Sequence, residues 1–318
     1  MSEIDTIEML NNILPKNIIE MLTGKLLGDG NITIEKGKRG RLRFTHASSD
    51  KEWCKYCYDM LKEHLPFNAP KYRKLIDPRM KQGFTECYYV QSKTAESIDF
   101  LKALWYPSGK KQLPKEFIRK NLSPLSLAWW YMDDGNLKVQ NNNATKVILS
   151  TDSFSNNEVN FLQEVLFSSF QLTFKTDKQN RLLLYDKASI FYFLSIVKPH
   201  LIPSMGRKYF QPIPASQNKP QRTTIYLPHE IILNKPTKQI NNVITRSPPL
   251  LLKLDSDIYR KQFYVKYQNL INARRGYQII ITSSNQNLLN TLQLKTGFEK
   301  SICAQACFDY ISENGRLK

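Results

Sequence analysis

The chain has 318 residues, 41% of them hydrophobic, and its 46 Lys+Arg against 28 Asp+Glu give a net charge of +18 at pH 7. This length and apolar content exclude a disordered basic tail and suggest two or three domains, while the charge predicts a polyanionic partner, with DNA, RNA and anionic membrane surfaces all open. Residues 1–5 lack the features of a signal peptide and no apolar run approaches the roughly 18 to 20 residues that span a bilayer, which disfavours a secreted or membrane-embedded protein.

The first predicted unit begins with a helix near Pro15. Apolar residues recur at helical spacing over 18–26, until Gly28 and Gly30 end the pattern. The elements predicted after it are a strand at 41–45, a helix at 53–65 and a strand at 86–91. The strands are indicated by alternation of apolar and polar residues, and the helix by the longer helical period.

A second unit repeats the first at an offset of 105 residues. Residues 22–32 read LTGKLLGDGNI and residues 127–137 read LAWWYMDDGNL, so both end in Asp-Gly-Asn followed by an aliphatic residue. Ser123 and Pro124 form a strong helix start, an N-cap oxygen followed by a proline. The later elements are a strand at 146–150, a helix at 159–170 and a strand at 181–185. The predicted fold is therefore α+β, with two pseudo-symmetric αββαβα-type halves.

The five cysteines predict neither a zinc site nor a disulfide framework. Cys54 and Cys57 form one CxxC without a second ligand pair, and an odd total argues against closed disulfides. We interpret them as reduced thiols on a helix, and Cys303 and Cys307 as packing residues of another helix. The histidines match no metal motif, which disfavours a histidine zinc hydrolase.

The character of the sequence changes after the two repeated units. Residues 212–249 hold seven of the 16 prolines, which predicts an extended linker over 212–254. Residues 255–318 look helical again, and helices at 285–294 and 298–311 around a glycine turn suit either a helix-turn-helix or a plain structural pair. The last 105 residues carry 15 Lys+Arg and 6 Asp+Glu, net +9, which leaves +9 for the rest. The predicted domains are 1–120, 121–211, 212–254 and 255–318.

Two helices that each end in an acidic residue beside glycine give the sharpest chemical signal. Gly24 and Gly28 lie four residues apart on one helix and Ala128 is small on the other, so close packing is expected. That packing would bring Asp29 and Asp134 together, where two carboxylates at helix C-termini repel each other unless a cation lies between them. Hard oxygen ligands with open positions suit Mg²⁺ and phosphodiester hydrolysis. One such helix end alone would be an ordinary terminus, but two copies in a matching repeat favour a site.

The two motifs resemble a known family. Leu22–Gly30 and Leu127–Gly135 are similar to the paired signatures of the LAGLIDADG homing endonucleases in their single-chain form, and the resemblance covers about residues 15–210. The flanking segments most similar to the subgroup of the yeast mitochondrial omega-intron endonuclease are 123–135, 150–154 and 198–203. Two positions depart from the pattern, since Lys25 stands where the first signature is normally apolar and Trp129 replaces a small residue. The departures concern the packing of the helices and leave both acids in place.

The resemblance implies a site at the two helix ends. Asp29 and Asp134 fall where the family binds divalent metal and activates water to hydrolyse each DNA strand, with the backbone carbonyls of Gly28 and Asp133 as further ligands. The implied cofactor is Mg²⁺, as two or three ions shared between the halves, and the Asp133 carboxylate is an additional candidate ligand. The candidate catalytic residues beside the metals are Lys111, Lys208 and Gln91. The alternative for each lysine is a solvated surface charge.

The resemblance also implies a double-stranded DNA partner. In the family, two sheets form a saddle over the major groove of a long target and cut across the minor groove to leave 3′ overhangs. The candidate DNA-binding residues are Lys36, Lys38, Arg39, Arg41, Arg43, Lys71, Arg73 and Lys74. Such side chains either read guanine edges or contact phosphates, and phosphate contact is the safer expectation.

Three functions remain open. The first is a site-specific DNA endonuclease whose double-strand break promotes intron mobility, which the presence of both acids favours. The second is an intron maturase that binds its group I or group II intron RNA, which the basic tail favours. The third is a DNA-binding regulator on the same scaffold. We also expect a monomer without a membrane partner, intracellular and in an organelle rather than a bacterium, because abundant Lys, Asn and Ile suggest an AT-rich genome.

Overall fold

The computed structural model of the protein describes residues 2–35, 37–210, 220–270 and 273–315. One predicted DNA-binding residue, Lys36, and residues 212–219 of the predicted linker lie outside the described residues. The buried apolar side chains of the described chain form one connected core that runs through both repeated units and the C-terminal region. Among the described residues, no helix is both long and apolar enough to cross a membrane.

The first half is an antiparallel sheet with helices against one face. Its elements are α1 (Glu3–Ile13), α2 (Lys16–Leu27), β1 (Asn31–Ile32), β2 (Leu42–Ala47), α3 (Lys51–Leu61), β3 (Lys71–Ile76), β4 (Phe84–Gln91), α4 (Glu96–Trp105) and α5 (Lys115–Asn121). The strand order is β1-β2-β4-β3. Leu42, Phe44 and Val90 are fully buried on the face toward the helices, and Phe44 lies opposite Val90 in the β2–β4 register. The other face is open to solvent.

The second half repeats this arrangement. Its elements are α6 (Pro124–Asp134), β5 (Gly135–Gln140), β6 (Asn143–Leu149), α7 (Asn156–Phe170), β7 (Lys175–Thr176), β8 (Leu182–Leu184) and α8 (Lys187–Val197). The order β5-β6-β8-β7 matches the first sheet, because in both the fourth strand lies between the second and the third. The predicted duplicated α+β fold is confirmed, and each half contains four strands.

Four strands were not identified in the sequence. The predicted strands all overlap β2, β4, β6 or β8, whereas β1, β3, β5 and β7 were missed. Strand β3 is exposed at every position because it is the edge of its sheet, so it lacks the alternation that marks a half-buried strand. Strands β1 and β7 have only two residues each, too few for a periodic signal.

The proline-rich stretch is structured over much of its length. The elements from there to the C-terminus are β9 (Gln221–Pro228), α9 (Pro236–Thr245), α10 (Pro248–Lys253), α11 (Asp257–Gln268), β10 (Arg274–Ile281), α12 (Ser283–Thr296) and α13 (Lys300–Gly315). The predicted linker is therefore wrong for 221–253. Pro236 and Pro248 begin helices, where the missing N–H costs nothing, and Pro228 ends a strand. Strand β9 pairs antiparallel with β10, which lies inside a segment expected to be helical.

The C-terminal region packs on helix α8 of the second half. The rings of Tyr192 and Tyr264 stack with centroids 4.2 Å apart, and the Tyr264 hydroxyl is 2.6 Å from Ser189 Oγ. Gly297, in the turn between α12 and α13, has a φ of +75°, and a Cβ there would lie 2.5 Å from the Lys187 carbonyl oxygen. The expected helix, glycine turn and helix are present, and the glycine serves both the turn and the contact with α8.

The cysteines behave as the sequence indicated. All five are free thiols. Cys54 and Cys57 lie buried on α3, and burial raises the pKa of the Cys54 thiol to about 11. Cys303 and Cys307 are buried on α13, where burial raises the pKa of Cys307 to about 11. These thiols are packing residues of low reactivity.

Candidate active site

Helices α2 and α6 cross at a glycine contact that places the site. A Cβ on Gly24 would lie 2.3 Å from the Ser126 carbonyl oxygen and 2.7 Å from Trp129 Cβ, distances that no side chain tolerates. A Cβ on Gly28 would lie 2.6 Å from Asp133 Cβ. The expected close approach at Gly24 and Gly28 is present, and Ser126 and Trp129 meet Gly24.

The acidic ends of the two helices come together as a consequence. Helix α6 ends at Asp134 and α2 ends two residues before Asp29. The backbone N–H of Asp29 donates to Asp133 Oδ2 at 3.1 Å, so the two signatures touch at their ends. Burial, then repulsion from Asp29 and Asp133, raises the pKa of Asp134 to about 7. The geometry therefore brings negative charge together at the signature ends, and the positive charges of Lys111 and Lys208 offset its effect on Asp134 only in part.

The Asp133 side chain is engaged inside the protein. Its Oδ1 accepts from Lys25 Nζ at 2.7 Å and from Trp53 Nε1 at 2.8 Å. With Oδ2 taken by the Asp29 N–H, the carboxylate has three donors and is fully buried. The Asp133 carboxylate is therefore satisfied by protein donors, and its part as an additional metal ligand stays a prediction. Its backbone carbonyl accepts from Lys208 Nζ at 3.1 Å.

Lys25 lies in an aromatic cage. Its Nζ is 4.9 Å from the ring centroid of Phe44, 4.6 Å from that of Trp53 and 5.6 Å from that of Trp129. Burial acts to lower the pKa of Lys25, but the Asp133 carboxylate raises it above its ordinary value. Lys25 and Trp129, the two departures from the family signature, thus interact with each other, because the face of the Trp129 ring attracts the Lys25 ammonium group.

His46 joins this network to Asp29. Its Nδ1 lies 3.1 Å from Asp29 Oδ2, and its Nε2 lies 3.2 Å from Lys25 Nζ. Burial acts to raise the pKa of Asp29, but the His46 hydrogen bond and nearby positive charges lower it below its ordinary value. Ligand atoms of Asp29, His46 and Asp133 lie within 4.8 Å of one another, but the Lys25 ammonium already occupies the space beside His46 and Asp133. The Lys25 ammonium group therefore already supplies a cation to this cluster.

Lys111 and Lys208 flank the two acids from opposite halves. Lys111 Nζ donates to the Gly30 carbonyl at 3.0 Å, and burial lowers the pKa of Lys111 to about 8. Lys208 Nζ donates to the Tyr131 carbonyl at 2.9 Å and to those of Met132 and Asp133, the last turn of α6. Burial also lowers the pKa of Lys208 to about 8. Neither lysine is a solvated surface charge.

Gln91 lies on the open face of the first sheet. It is opposite Arg43 in the β2–β4 register, so the two side chains project to the same side. Lys71 and Arg73 on β3 lie opposite Tyr89 and Cys87, which places them on that same face. No hydrogen bond within the described chain uses the Gln91 side chain, whose amide is therefore available to a ligand.

The other predicted DNA-binding residues do not all share that face. Lys74 lies opposite Glu86, one residue along β3 from Arg73, so its side chain projects from the other face of the sheet. Its Nζ lies 3.6 Å from the centroid of the Phe84 ring. Lys38 and Arg39 in the β1–β2 loop form ion pairs with Glu35 and Asp99. Arg41 is exposed just before β2. The structure thus groups Arg43, Lys71 and Arg73 and separates Lys74 from them.

Sequence reasoning missed the network behind Asp29. Lys25 and Trp129 were noted only as departures, and His46 only as an unassigned histidine. Lys25 and Asp133 are 108 residues apart, and no local pattern connects them. One signal was available in the sequence. The first apolar signature contains a lysine and the second contains an aspartate in addition to Asp134, and together they suggest a buried ion pair.

Comparisons with known proteins agree with this geometry. Residues 19–193 match the sequence model of the LAGLIDADG DNA endonuclease family. Cytochrome b mRNA maturase bI2 from Debaryomyces hansenii is 30% identical over 207 residues, 62% of this chain and 75% of that protein. DNA endonuclease I-ChuI from Chlamydomonas applanata is 27% identical over 204 residues, 59% of this chain and 92% of that protein.

A solved structure shares the fold of the repeated units. The homing endonuclease I-WcaI bound to its DNA recognition sequence matches with a TM-score of 0.54 and 24% identity, over 64% of this chain and 91% of that one. The family match spans more than half of the chain and contains both signature ends, Asp29 and Asp134. With paired signature helices that touch at their ends, two matching sheets and a family match over more than half of its length, the chain belongs to the LAGLIDADG DNA endonuclease family.

Proposed function

We propose that this protein is a site-specific homing endonuclease that makes a metal-dependent double-strand break in a long DNA target and so promotes intron mobility. The observation that carries the proposal is the contact of the two signature ends, where the Asp29 N–H donates to the Asp133 carboxylate and where burial and the Asp29 charge raise the pKa of Asp134 to about 7. Membership of an endonuclease family, and a fold shared with a homing endonuclease bound to DNA, support it.

The carboxylates of Asp29 and Asp134, with the backbone carbonyls of Gly28 and Asp133, would hold Mg²⁺, as two or three ions shared between the halves. Endonucleases of this family are generally dependent on divalent metal, and hard oxygen donors suit it. Once bound, the metal would polarise the phosphate and favour deprotonation of water. Lys111 and Lys208, held rigidly by backbone carbonyls, would place positive charge beside the phosphodiester.

The open face of the first sheet is the proposed DNA surface. Arg43, Lys71 and Arg73 project from it. Gln91, the last residue of β4, lies beside Arg43 on the same face. Arginine and lysine on such a face contact phosphates and fix the position of the duplex, while Gln91 offers an amide for a polar contact. Lys38, Arg39 and Arg41 extend this surface through the β1–β2 loop, whereas Lys74 lies outside it.

A cleavage assay tests the endonuclease proposal. The purified protein should cut an intronless copy of its host gene at one site when Mg²⁺ is present, and chelation with EDTA should stop the cut. Asp29→Asn and Asp134→Asn should abolish double-strand cleavage, because each removes a charged ligand. Asp59→Asn, on the exposed side of α3, is the matched control and should cut normally. Cleavage that survives both active-site changes would sink the assignment.

A second candidate function is intron maturase activity. A relative that is 30% identical is named as a cytochrome b mRNA maturase, and the C-terminal region adds positive charge that the endonuclease core does not need. The test is splicing of the enclosing intron RNA with the Asp29→Asn and Asp134→Asn variants. A maturase should support splicing without cleavage, whereas splicing that proceeds equally without the protein removes this candidate.

Two further expectations stay proposals. A monomer is supported by the pairing of both signature helices within one chain, since the Gly24 contact is already satisfied. Sedimentation at micromolar concentration should give a single species of 37.1 kDa. An organellar origin is supported by the Lys, Asn and Ile content and by a relative named for cytochrome b messenger RNA.

A further inference from the structure

We propose that His46 is a positioning residue for Asp29 and that the second half has no counterpart, so that the two DNA strands are cut at non-equivalent sites. The inference rests on the proposed endonuclease function and adds to it an internal asymmetry. The residues concerned are Lys25, which departs from the family signature, and His46, which lies outside it.

His46 holds Asp29 from the buried side. It lies on the core face of β2 with 4% of its side chain exposed, and its Nδ1 is 3.1 Å from Asp29 Oδ2. The Asp29 backbone N–H is fixed separately on Asp133 Oδ2. Within the described chain no donor reaches the other carboxylate oxygen of Asp29, and 35% of the side chain is exposed. One oxygen is therefore anchored and the other is presented to solvent.

Lys25 fixes which nitrogen of His46 carries the proton. An ammonium group has only donors, so the His46 Nε2 that lies 3.2 Å from Lys25 Nζ must accept. The ring proton is then on Nδ1, where it donates to Asp29. Lys25 is itself held by Asp133 at 2.7 Å, which closes a chain of contacts from Asp133 through Lys25 and His46 to Asp29.

The second half lacks this arrangement. At the offset of 105 residues, Thr151 stands where His46 stands in the first half, and Trp130 where Lys25 stands. The Thr151 hydroxyl donates to the Asn180 carbonyl and so points away from the site. Among the described residues no side chain donates a hydrogen bond to the Asp134 carboxylate. Asp134 is influenced by Lys111 and Lys208 through charge alone.

The asymmetry has a kinetic consequence. A carboxylate whose supporting hydrogen bond is lost samples other rotamers, and loss of such a partner behind a metal ligand costs roughly 10-fold to 100-fold in metal affinity or activity. The His46 hydrogen bond serves Asp29 only. Its removal should therefore slow the strand that Asp29 serves more than the other, an effect that general destabilisation of the fold does not produce.

Strand-resolved cleavage tests the proposal. Single-turnover rates are measured on the intronless host-gene target with each strand labelled separately, and the strand slowed most by Asp29→Asn is taken as the Asp29 strand. His46→Leu should slow that strand by about 10-fold to 100-fold and slow the other strand clearly less. His46→Asn should recover most of the rate, because its amide nitrogen takes the place of Nδ1. Equal slowing of both strands, or no recovery with asparagine, overturns the proposal.

Thr151→Val is the matched control in the second half. It removes a buried hydroxyl at the equivalent position but no contact with an active-site acid, so it should change both strand rates alike. Slowing confined to the Asp134 strand would mean that the two halves are equivalent, and would contradict the asymmetry.

Metal binding gives a readout that does not need cleavage. Mn²⁺ binding to the free protein is followed by electron paramagnetic resonance in His46→Leu, Asp29→Asn and the double variant. His46→Leu should weaken binding by about 10-fold, and adding it to Asp29→Asn should have no further effect, since both act on one site. Unchanged Mn²⁺ affinity in His46→Leu overturns the inference. If the wild type cuts neither strand, the endonuclease function fails while this measurement still decides the role of His46.

Discussion

Lys25 occupies a helix position whose neighbours are apolar, and its charge is tolerated because Asp133 lies 2.7 Å away. Trp53 Nε1 donates to the same oxygen, and three aromatic rings surround the ammonium. A buried ion pair of this kind is weak as a source of stability, because both ions lose their hydration, but strong as a constraint on geometry. Here it ties the first signature to the second and orients His46.

Removing one member of this pair should be more harmful than removing both charges. Lys25→Met leaves the Asp133 carboxylate buried without a counter-ion, and should lower the free energy of unfolding by about 3–5 kcal/mol. The double variant Lys25→Met with Asp133→Asn should recover a large part of that loss, since the amide still accepts from Trp53. Urea denaturation of the wild type, Lys25→Met, Asp133→Asn and the double variant measures both effects. Losses that simply add would show that the two residues are not coupled.

The two signature acids could be identified from the sequence, whereas the side chains that support them could not. Asp29 and Asp134 stand out in the sequence because the same Asp-Gly-Asn ending occurs twice at a fixed offset. Lys111 and Lys208 followed from the resemblance, and beside the site Lys208 is buried and Lys111 half-buried. His46 carries no such mark, because its role depends on the register that brings the core face of β2 against the end of α2.

At the scale of elements, the contact of α2 with α6 depends on a glycine in α2, whose lack of a side chain lets the helices approach closely. Helix α6 begins with a capping box, in which Ser123 and Ser126 satisfy each other's backbone N–H groups, and the sequence indicated that start. Gly24 faces the first turns of α6, with no room for a Cβ. The glycine is unfavourable for helix propensity, so its presence within α2 is explained by the close approach of the two helices.

Gly24→Ala should therefore destabilise the protein despite the better helix propensity of alanine. Propensity favours the change by about 1 kcal/mol, whereas the new Cβ would lie 2.3 Å from the Ser126 carbonyl oxygen and must push the helices apart. We expect a net loss of about 1–3 kcal/mol in the free energy of unfolding, as is typical of overpacking. Gly206→Ala is the control, because no atom lies within 4 Å of a Cβ there and stability should hold. Equal behaviour of the two variants in thermal denaturation would argue against the tight contact.

Elements that depend on distant partners were the ones that sequence reasoning missed. Strand β9 pairs with β10 between Gln221 and Ile281 at one end and Pro228 and Arg274 at the other, so neither strand is determined locally. Pro228, Pro236 and Pro248, three of the prolines that suggested a linker, are at element ends, which is where folded structure also uses proline. The αα turn at Gly297 was predicted because glycine after a helical run is a local signal.

At the scale of the molecule, the positive charge is carried by one connected body. The last 105 residues and the rest each have a net charge of +9, and the C-terminal region is joined to α8 through the Tyr192–Tyr264 stack and the Ser189 hydrogen bond. Lys261 Nζ also donates to the Ser169 carbonyl at 3.0 Å. A polyanion bound at the sheets therefore experiences the field of the whole chain, and its affinity should fall steeply with salt.

The dependence of DNA affinity on salt should separate phosphate contacts from this general field. Lys71 and Arg73 project from the open face of the first sheet, and each phosphate contact that is lost reduces the slope of log affinity against log salt by roughly 1. The double variant Lys71→Ala with Arg73→Ala should therefore flatten the slope by about 2 for the target and for unrelated duplex alike. Lys74→Ala removes the same charge from the same strand but from the opposite face, and should leave the slope within about half a unit of the wild type. Fluorescence anisotropy with Ca²⁺ in place of Mg²⁺, from 50 to 200 mM salt, measures the slopes. If Lys74→Ala flattens the slope by about 1, as much as each open-face residue is expected to contribute, the DNA does not lie on that face of the sheet.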